Sequence, residues 1–210
     1  IAVPDDVPLE VAGVIGCAVQ TGLGAVFNTA RVRPGDTVAV LGLGGIGMSV
    51  VAGARIAGAS RIVVSDPQPH RLDLASDFGA TDLVDPRNTD VISIVQRVTN
   101  NIGVDCAFEA VGSAAVVDTA MTATRNGGTT VLVGAGSIDE SIALSPTFFA
   151  VSGKRLIGCL LGGVNSRRDI PMIFELHRSG RLDLERLVTN RRPLDELGQA
   201  LGAVGRVLPA

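Results

Sequence analysis

Apolar residues along this 210-residue chain fall into short β-branched runs separated by stretches of helical spacing. Val38, Val40 and Leu41 form one run, and Ile62 to Val64, Thr81 to Val84, Val104 to Phe108, Thr129 to Val133 and Arg155 to Leu161 form five more. Between them, Met48 to Ala57 is a small-residue helical pattern, and Pro67 to Phe78 is another with Gly79 as its cap. Asp90 to Thr99 carries Val91, Ile94, Val95 and Val98 on one face. Ser113 is placed to cap a helix running through Thr124, which Asn126-Gly127-Gly128 would end. Strands alternating with helices at this spacing predict an α/β fold with a doubly wound, parallel, six-stranded sheet.

The flanks read differently. Leu9 to Ala30 is one long helical pattern whose glycines at 13, 16, 22 and 24 would each weaken an isolated helix by about 1 kcal/mol relative to Ala. Such glycines are expected to permit close packing or approach by a ligand. Arg33-Pro34-Gly35-Asp36 is a turn into the first strand. Pro146 to Val151 predicts a short helical turn. Beyond Gly163 the pattern predicts a helix over Ser166 to Leu176, a short strand over Leu187 to Thr189 and a helix over Leu194 to Leu201, packed outside the sheet. The expected division is a dinucleotide-binding domain at 19–162, with 1–18 and 163–210 as flanking remnants of a second, incomplete domain. The chain starts on Ile1 rather than Met, inside what reads as a linker, and so reads as a fragment.

The richest stretch is Thr37 to Asp66. A buried strand leads into Gly42-x-Gly44-x-x-Gly47, a helix follows, and a second strand ends on Asp66, 19 residues past Gly47. That order is the fingerprint of a dinucleotide site. Gly42 permits the tight turn, Gly44 lets the backbone approach a pyrophosphate, and Gly47 lets the helix pack on the sheet. The free amides and positive end of the helix attract the anion. Asp66 can accept hydrogen bonds from both ribose hydroxyls, whereas a 2′-phosphate would meet its charge, which favours NAD over NADP. Loops Gly42 to Gly47, Glu109 to Gly112 and Gly134 to Ser137 all follow strands, and are expected to line one crevice beyond the carboxyl ends of the sheet.

Composition narrows the classes. Hydrophobic residues make up 46% of the chain, enough for a sizeable core. A net charge of −3 and a pI near 5.4 give no reason to expect nucleic acid or anionic membrane as a partner. Aromatic content of 3%, without Trp or Tyr, nearly excludes base-stacking platforms. Charge or repeated glycine interrupts every long apolar run, and no signal-like segment stands at the start, so a cytoplasmic protein is expected. Cys17, Cys106 and Cys159 are odd in number and lack C-x-x-C spacing, which argues for reduced thiols over a disulfide framework. His70 and His177 form no metal-ligand spacing with Cys17.

The segments GCAVQTGLGAVFNTARVRPGDTVAVLGLGGIG, ARIAGASRIVVSD, FGATDLVDP, GVDCAFEAVGS, GTTVLVGAG and KRLIGCLLGG resemble the zinc-containing alcohol dehydrogenases of the medium-chain dehydrogenase/reductase family. The glycine turn alone would not single out this family; its combination with the Gly16-Cys17 helix does. The resemblance implies that Cys17 is a ligand of the catalytic zinc, that Thr21 lies against the nicotinamide and that Leu161 stands at the substrate pocket. It also implies that Gly42, Gly44, Gly45, Ile46 and Gly47 meet the pyrophosphate, and that Asp66 and Arg71 face the adenosine. Ala110 and Val111 would pack near the coenzyme, and the Val133-Gly134-Ala135 backbone would meet the carboxamide.

The implied activity is hydride transfer between a primary or secondary alcohol and NAD, with zinc as second cofactor and an alcohol or aldehyde as substrate. The family's other zinc ligands and its proton relay belong to a domain preceding Ile1, so this chain alone is expected to bind coenzyme without turnover. The family also pairs subunits through the edge strand matching 155–161, which implies a homodimer. An arginine usual four residues after a late glycine has no counterpart, because Gly205 is followed at that distance by Pro209. The alternative is a non-catalytic dinucleotide-binding or dimerisation module.

Overall fold

The structure is a computed structural model and describes residues 1–200. Six strands, β1 (Thr37–Leu41), β2 (Arg61–Ser65), β3 (Asp82–Val84), β4 (Val104–Glu109), β5 (Thr124–Leu132) and β6 (Arg155–Gly158), form one sheet. All pair in parallel, in the order β3-β2-β1-β4-β5-β6. The order reverses between β1 and β4, and there the two crossovers leave on opposite faces and open a crevice. This is the Rossmann-like fold that the alternation of strands and helices predicts.

Among the described residues there are seven helices. In α1 (Leu9–Ala30), α turns at Leu9–Ala12 and Gln20–Gly24 alternate with wider π turns at Ile15–Val19 and Ala25–Ala30. Next come α2 (Gly45–Ala57), α3 (Pro69–Phe78), α4 (Val91–Val98), α5 (Ala114–Ala123), α6 (Pro146–Ser152) and α7 (Ser166–Arg178). Their ends follow local chemistry. Gly58 and Gly79 close α2 and α3 in the left-handed region, and Pro69 opens α3, where a missing N–H costs nothing. The Asp90 carboxylate caps α4 by accepting from the amides of Ile92 and Ser93.

Alternation along the strands divides the core. Val38, Val40, Ile62, Val64, Phe108 and Val131 face α1, α2 and α3. Ala39, Leu41, Val63, Val84 and Ala107 face α4 and α5. The flanks join the first of these cores, through Val7, Val11 and Ile15 on one side and Ile173, Phe174 and Leu176 of α7 on the other. Helix α1 is long and apolar enough to cross a membrane, yet 56% of its most apolar window is buried. The cause is packing on α2: a Cβ at Gly22 would sit 2.5 Å from Ser49 Cβ and 2.6 Å from the Ile46 carbonyl. Gly24 makes a similar approach to Gly162, while Gly16 faces open space.

Several expectations need correction. Ser113 precedes α5 but its hydroxyl makes no capping bond, and α5 stops at Ala123. Asn126-Gly127-Gly128 does not end a helix; it is a bulge inside β5. Val104 pairs with Thr124 and Cys106 already with Thr129, so Arg125 to Gly128 loop out of the ladder. A Thr124–Thr130 hydroxyl bond of 2.8 Å and the Arg125–Asp105 pair at 2.7 Å hold the two ends of this bulge. Strand β6 ends at Gly158 rather than 161, because Leu161, Gly162 and Gly163 take successive positive φ angles and turn the chain. Leu187 to Thr189 is not a strand: Glu185–Leu187 is a 3₁₀ turn. Leu194–Glu196 is another 3₁₀ turn that runs into helix, with Leu201 outside the described residues. Gly205 and Pro209 also lie outside them.

Candidate coenzyme site

The glycine turn begins where β1 ends. Gly42 takes φ +95°, and its amide donates to the Ser65 carbonyl at 2.8 Å, tying the turn to β2. A Cβ at Gly47 would lie 1.8 Å from the Gly42 carbonyl oxygen, so only hydrogen fits there. Gly44 is the opposite case: it is exposed, and a Cβ would meet nothing within 4 Å. Gly44 caps α2, whose first intrahelical bond runs from the Met48 amide to the Gly44 carbonyl. The amides of Gly45, Ile46 and Gly47 therefore have no partner within the helix and open onto this space. A close-packed third glycine beside an open second one is a cradle for an anion.

Asp66 stands at the end of β2 in the same cavity of about 530 Å³, which Gly42, Gly44, Arg71, Ala110 and Val111 also line. Its carboxylate is buried and already engaged. Oδ2 accepts from the Leu43 amide at 2.8 Å and Oδ1 from the Gln68 amide at 2.9 Å. The Arg71 guanidinium lies 3.4 Å from Oδ2. Asp66 thus braces the glycine turn against β2 and retains part of its acceptor capacity toward the cavity. The braced amide of Leu43 is invisible in the sequence, as is the role of Glu109. That carboxylate, 1% exposed, accepts from the amides of Val111 and Gly112 at 2.8 and 2.7 Å and shapes the opposite wall. The only sequence signal for it is an acid closing an apolar strand just before a glycine loop.

The third loop, Gly134 to Ser137, lies against the second. Gly134 to Ser137 packs behind Gly112: Cβ atoms at Gly134 and Gly136 would lie 2.2 and 1.9 Å from the Gly112 backbone. Three residues without side chains let the two backbones close up, and Gly134, Gly136 and Ser137 line a cavity of about 200 Å³ together with Glu109 and Gly112. Val133 and Gly134 donate to the Glu109 carbonyl, while Ala135 is exposed.

Thr21 lies in the Gln20–Gly24 turn, buried, and its hydroxyl has no hydrogen-bond partner among the described residues. An orphaned buried hydroxyl of this kind asks for a ligand or water. The turn carrying Leu161 packs against it, with Gly162 beside the Thr21 carbonyl; Leu161 itself is 47% exposed. Cys17, one turn before Thr21, is exposed. Among the described residues no three His, Cys, Asp or Glu side chains gather to hold a metal. Catalytic zinc takes three protein ligands, so the residues described do not make a zinc site.

A family model described as zinc-binding dehydrogenase matches residues 45–177. This chain belongs to that family. Among the curated relatives of this zinc-binding dehydrogenase chain is S-(hydroxymethyl)glutathione dehydrogenase of Escherichia coli O157:H7, 43% identical over 188 residues, covering 89% of this chain and 51% of that protein. The Synechocystis enzyme of the same name is 40% identical over 189 residues, with the same coverage. The chain thus spans about half the length of the curated relatives it matches. Benzyl alcohol dehydrogenase from Acinetobacter calcoaceticus superimposes with a TM-score of 0.93 at 28% identity, over 98% of this chain and 56% of that one. A zinc-binding-domain alcohol dehydrogenase from Burkholderia ambifaria gives 0.93 at 34%, over 100% and 58%.

Proposed function

We propose that this chain holds the NAD of an alcohol dehydrogenase and presents its nicotinamide for hydride exchange with an alcohol or aldehyde. The observation that carries the reading is the paired cradle: Gly44 open to solvent, Gly47 closed on Gly42, and the Asp66 carboxylate in the same cavity. The amides of Gly45, Ile46 and Gly47 would bind the pyrophosphate. Asp66 would hold the adenosine ribose and exclude a 2′-phosphate, with Arg71 beside it. Ala110 and Val111 would cover the coenzyme on the β4 side. Thr21, Leu161 and the Val133-Gly134-Ala135 backbone would frame the nicotinamide end, with the Thr21 hydroxyl gaining the partner it lacks. Bound NAD supplies a hydride acceptor; the protein supplies position and a dry surface.

Cys17 would contribute one thiolate to a zinc ion in the whole protein, since one ligand alone makes no site. The chain as given, in the cytoplasm or in vitro, would bind coenzyme without turnover. Strand β6 is a sheet edge, and pairing it with a second copy would make a homodimer. The division at 19–162 is a functional one, because every residue named for the coenzyme lies inside it while Cys17, named for zinc, lies outside.

Titrating the 210-residue chain with NADH, followed by the coenzyme's own fluorescence, tests the reading. Saturable binding without NAD reduction by a primary alcohol is expected. Absence of saturable binding would overturn it. The absence of a metal-ligand cluster among the described residues favours a second reading, a binding module without catalysis. Turnover restored when the chain is extended into its full-length protein, and lost again in Cys17→Ala, decides against that module.

A further inference from the structure

The opposite end of the sheet carries a feature that coenzyme binding does not use. Where β1, β4, β5 and β6 begin, a cavity of about 430 Å³ opens among Arg31, Arg33, Arg125 and Arg155. Four arginines line it, in a chain whose net charge is −3. Two carboxylates, Asp36 and Asp105, also stand in the wall, each already hydrogen-bonded. Asp105 is committed to Arg125 at 2.7 Å and to the amide and hydroxyl of Thr37 at 2.7 and 2.8 Å. Asp36 accepts from the Arg33 backbone amide at 2.8 Å. Among the described residues, the guanidinium groups of Arg31, Arg33 and Arg155 make no ion pair, and all three are exposed.

Like charges do not gather without cost, and a second, independent observation points to what offsets it. Thr129 lines the same cavity, is 1% exposed, and its hydroxyl has no hydrogen-bond partner among the described residues. Its neighbour Thr130, on the other face of β5, has its hydroxyl paired with Thr124 at 2.8 Å. Burying a hydroxyl unpaired is unfavourable, so the Thr129 Oγ1 marks a place for an acceptor. Guanidinium forks plus a hydroxyl donor match the tetrahedral oxygens of a phosphate group.

We propose that this cavity is a second anion site, which takes a phosphate group, free or carried as the ester of a small molecule. It lies a strand length from the glycine turn, about 15 Å away at the usual rise per residue. Its occupant is therefore separate from the coenzyme. Arg31, left-handed at the C-terminal end of α1, forms part of the rim; its charge offsets the negative end of that helix, and an anion held by the arginines would link α1 to the starts of β5 and β6.

The test is calorimetric titration of the 210-residue chain with inorganic phosphate and with glycerol 3-phosphate at constant ionic strength, with and without NADH. Saturable binding that NADH does not displace is expected. Affinity should fall about tenfold or more in Arg31→Ala/Arg155→Ala, whose positions are exposed and leave the fold intact by circular dichroism. Thr129→Val should weaken phosphate binding while leaving the phosphate-free chain as stable as before, and Thr129→Ser should retain affinity. Tighter binding of glycerol 3-phosphate assigns an ester as occupant; equal or weaker binding assigns free phosphate. No saturable binding, displacement by NADH, or unchanged affinity in the double arginine variant would overturn the proposal.

Discussion

Replacing Asp66 with Asn separates two roles that its position combines. The substitution keeps the shape but removes the charge and converts one acceptor oxygen into a donor. Leu43 and Gln68 donate backbone amides to different oxygens of the carboxylate, at 2.8 and 2.9 Å. Asn can serve only one of them, and the other amide loses its acceptor. A hydrogen bond to a charged group contributes about 1.5–3 kcal/mol. The Arg71 contact is long, at 3.4 Å, and its guanidinium side chain is 29% exposed, so it adds little. Asp66→Asn should therefore destabilise the chain by about 2–3 kcal/mol, a fall in Tm of roughly 4–12 °C for a protein of this size. Loss of the charge should also narrow the preference for NAD over NADP. Urea denaturation at constant m-value gives the first quantity, and parallel coenzyme titrations give the second. A lower midpoint with unchanged coenzyme preference would reduce Asp66 to a brace. An unchanged midpoint would refute the geometry itself.

Gly47→Ala and Gly44→Ala should part company in thermal melts and NADH titrations. The first forces a methyl to 1.8 Å from a carbonyl oxygen and should cost about 3 kcal/mol or more, while the second meets open space, leaves the melt unchanged and weakens coenzyme binding. Burial pushes the Asp105 carboxyl up, but the Thr37 amide, the Arg125 guanidinium and the Thr37 hydroxyl together hold it below the usual carboxylate value. A depressed folded-state pKa gives stability that is present above pH 3.8 and lost as pH falls through the folded value. Tm measured from pH 6 downward should thus fall more steeply below pH 4 in the parent than in Asp105→Asn. Burial, reinforced by Asp36 and Asp105, pushes the Cys106 thiol up to about 12. Alkylation at pH 8, read by peptide mass, should label exposed Cys17 and spare Cys106; the reverse order would contradict the burial.

The strand-helix alternation was legible because buried parallel strands are continuous β-branched runs, and because Gly79 and Asp90 mark helix ends by local chemistry alone. The glycine turn was legible for the same reason: Gly42 and Gly47 answer to backbone constraints a few residues away. What the sequence concealed depends on distant partners. Asn126-Gly127-Gly128 reads as a helix stop, and becomes a bulge because Asp105 on β4 holds Arg125 and Thr130 closes back on Thr124 across it. Leu161 reads as the continuation of an apolar strand, yet the two glycines after it and the packing of α1 turn it away. The cavity beside Asp66 shows the same divide. Its acid and glycines stand out, whereas Glu109 and the Leu43 amide act through bonds that no local pattern announces.

The glycines of α1 set a length. Gly22 presses the helix onto α2 at Ile46 and Ser49, and Gly24 presses it onto the turn after β6, in both cases backbone against backbone. The span from the glycine turn to Thr21 is thus gauged by main-chain contacts, which do not relax by changing rotamer. A dinucleotide is flexible, and one bound as proposed above would have to extend to match that span. Side chains around such a ruler can drift without altering its scale, whereas a single methyl group at Gly22 would recalibrate it.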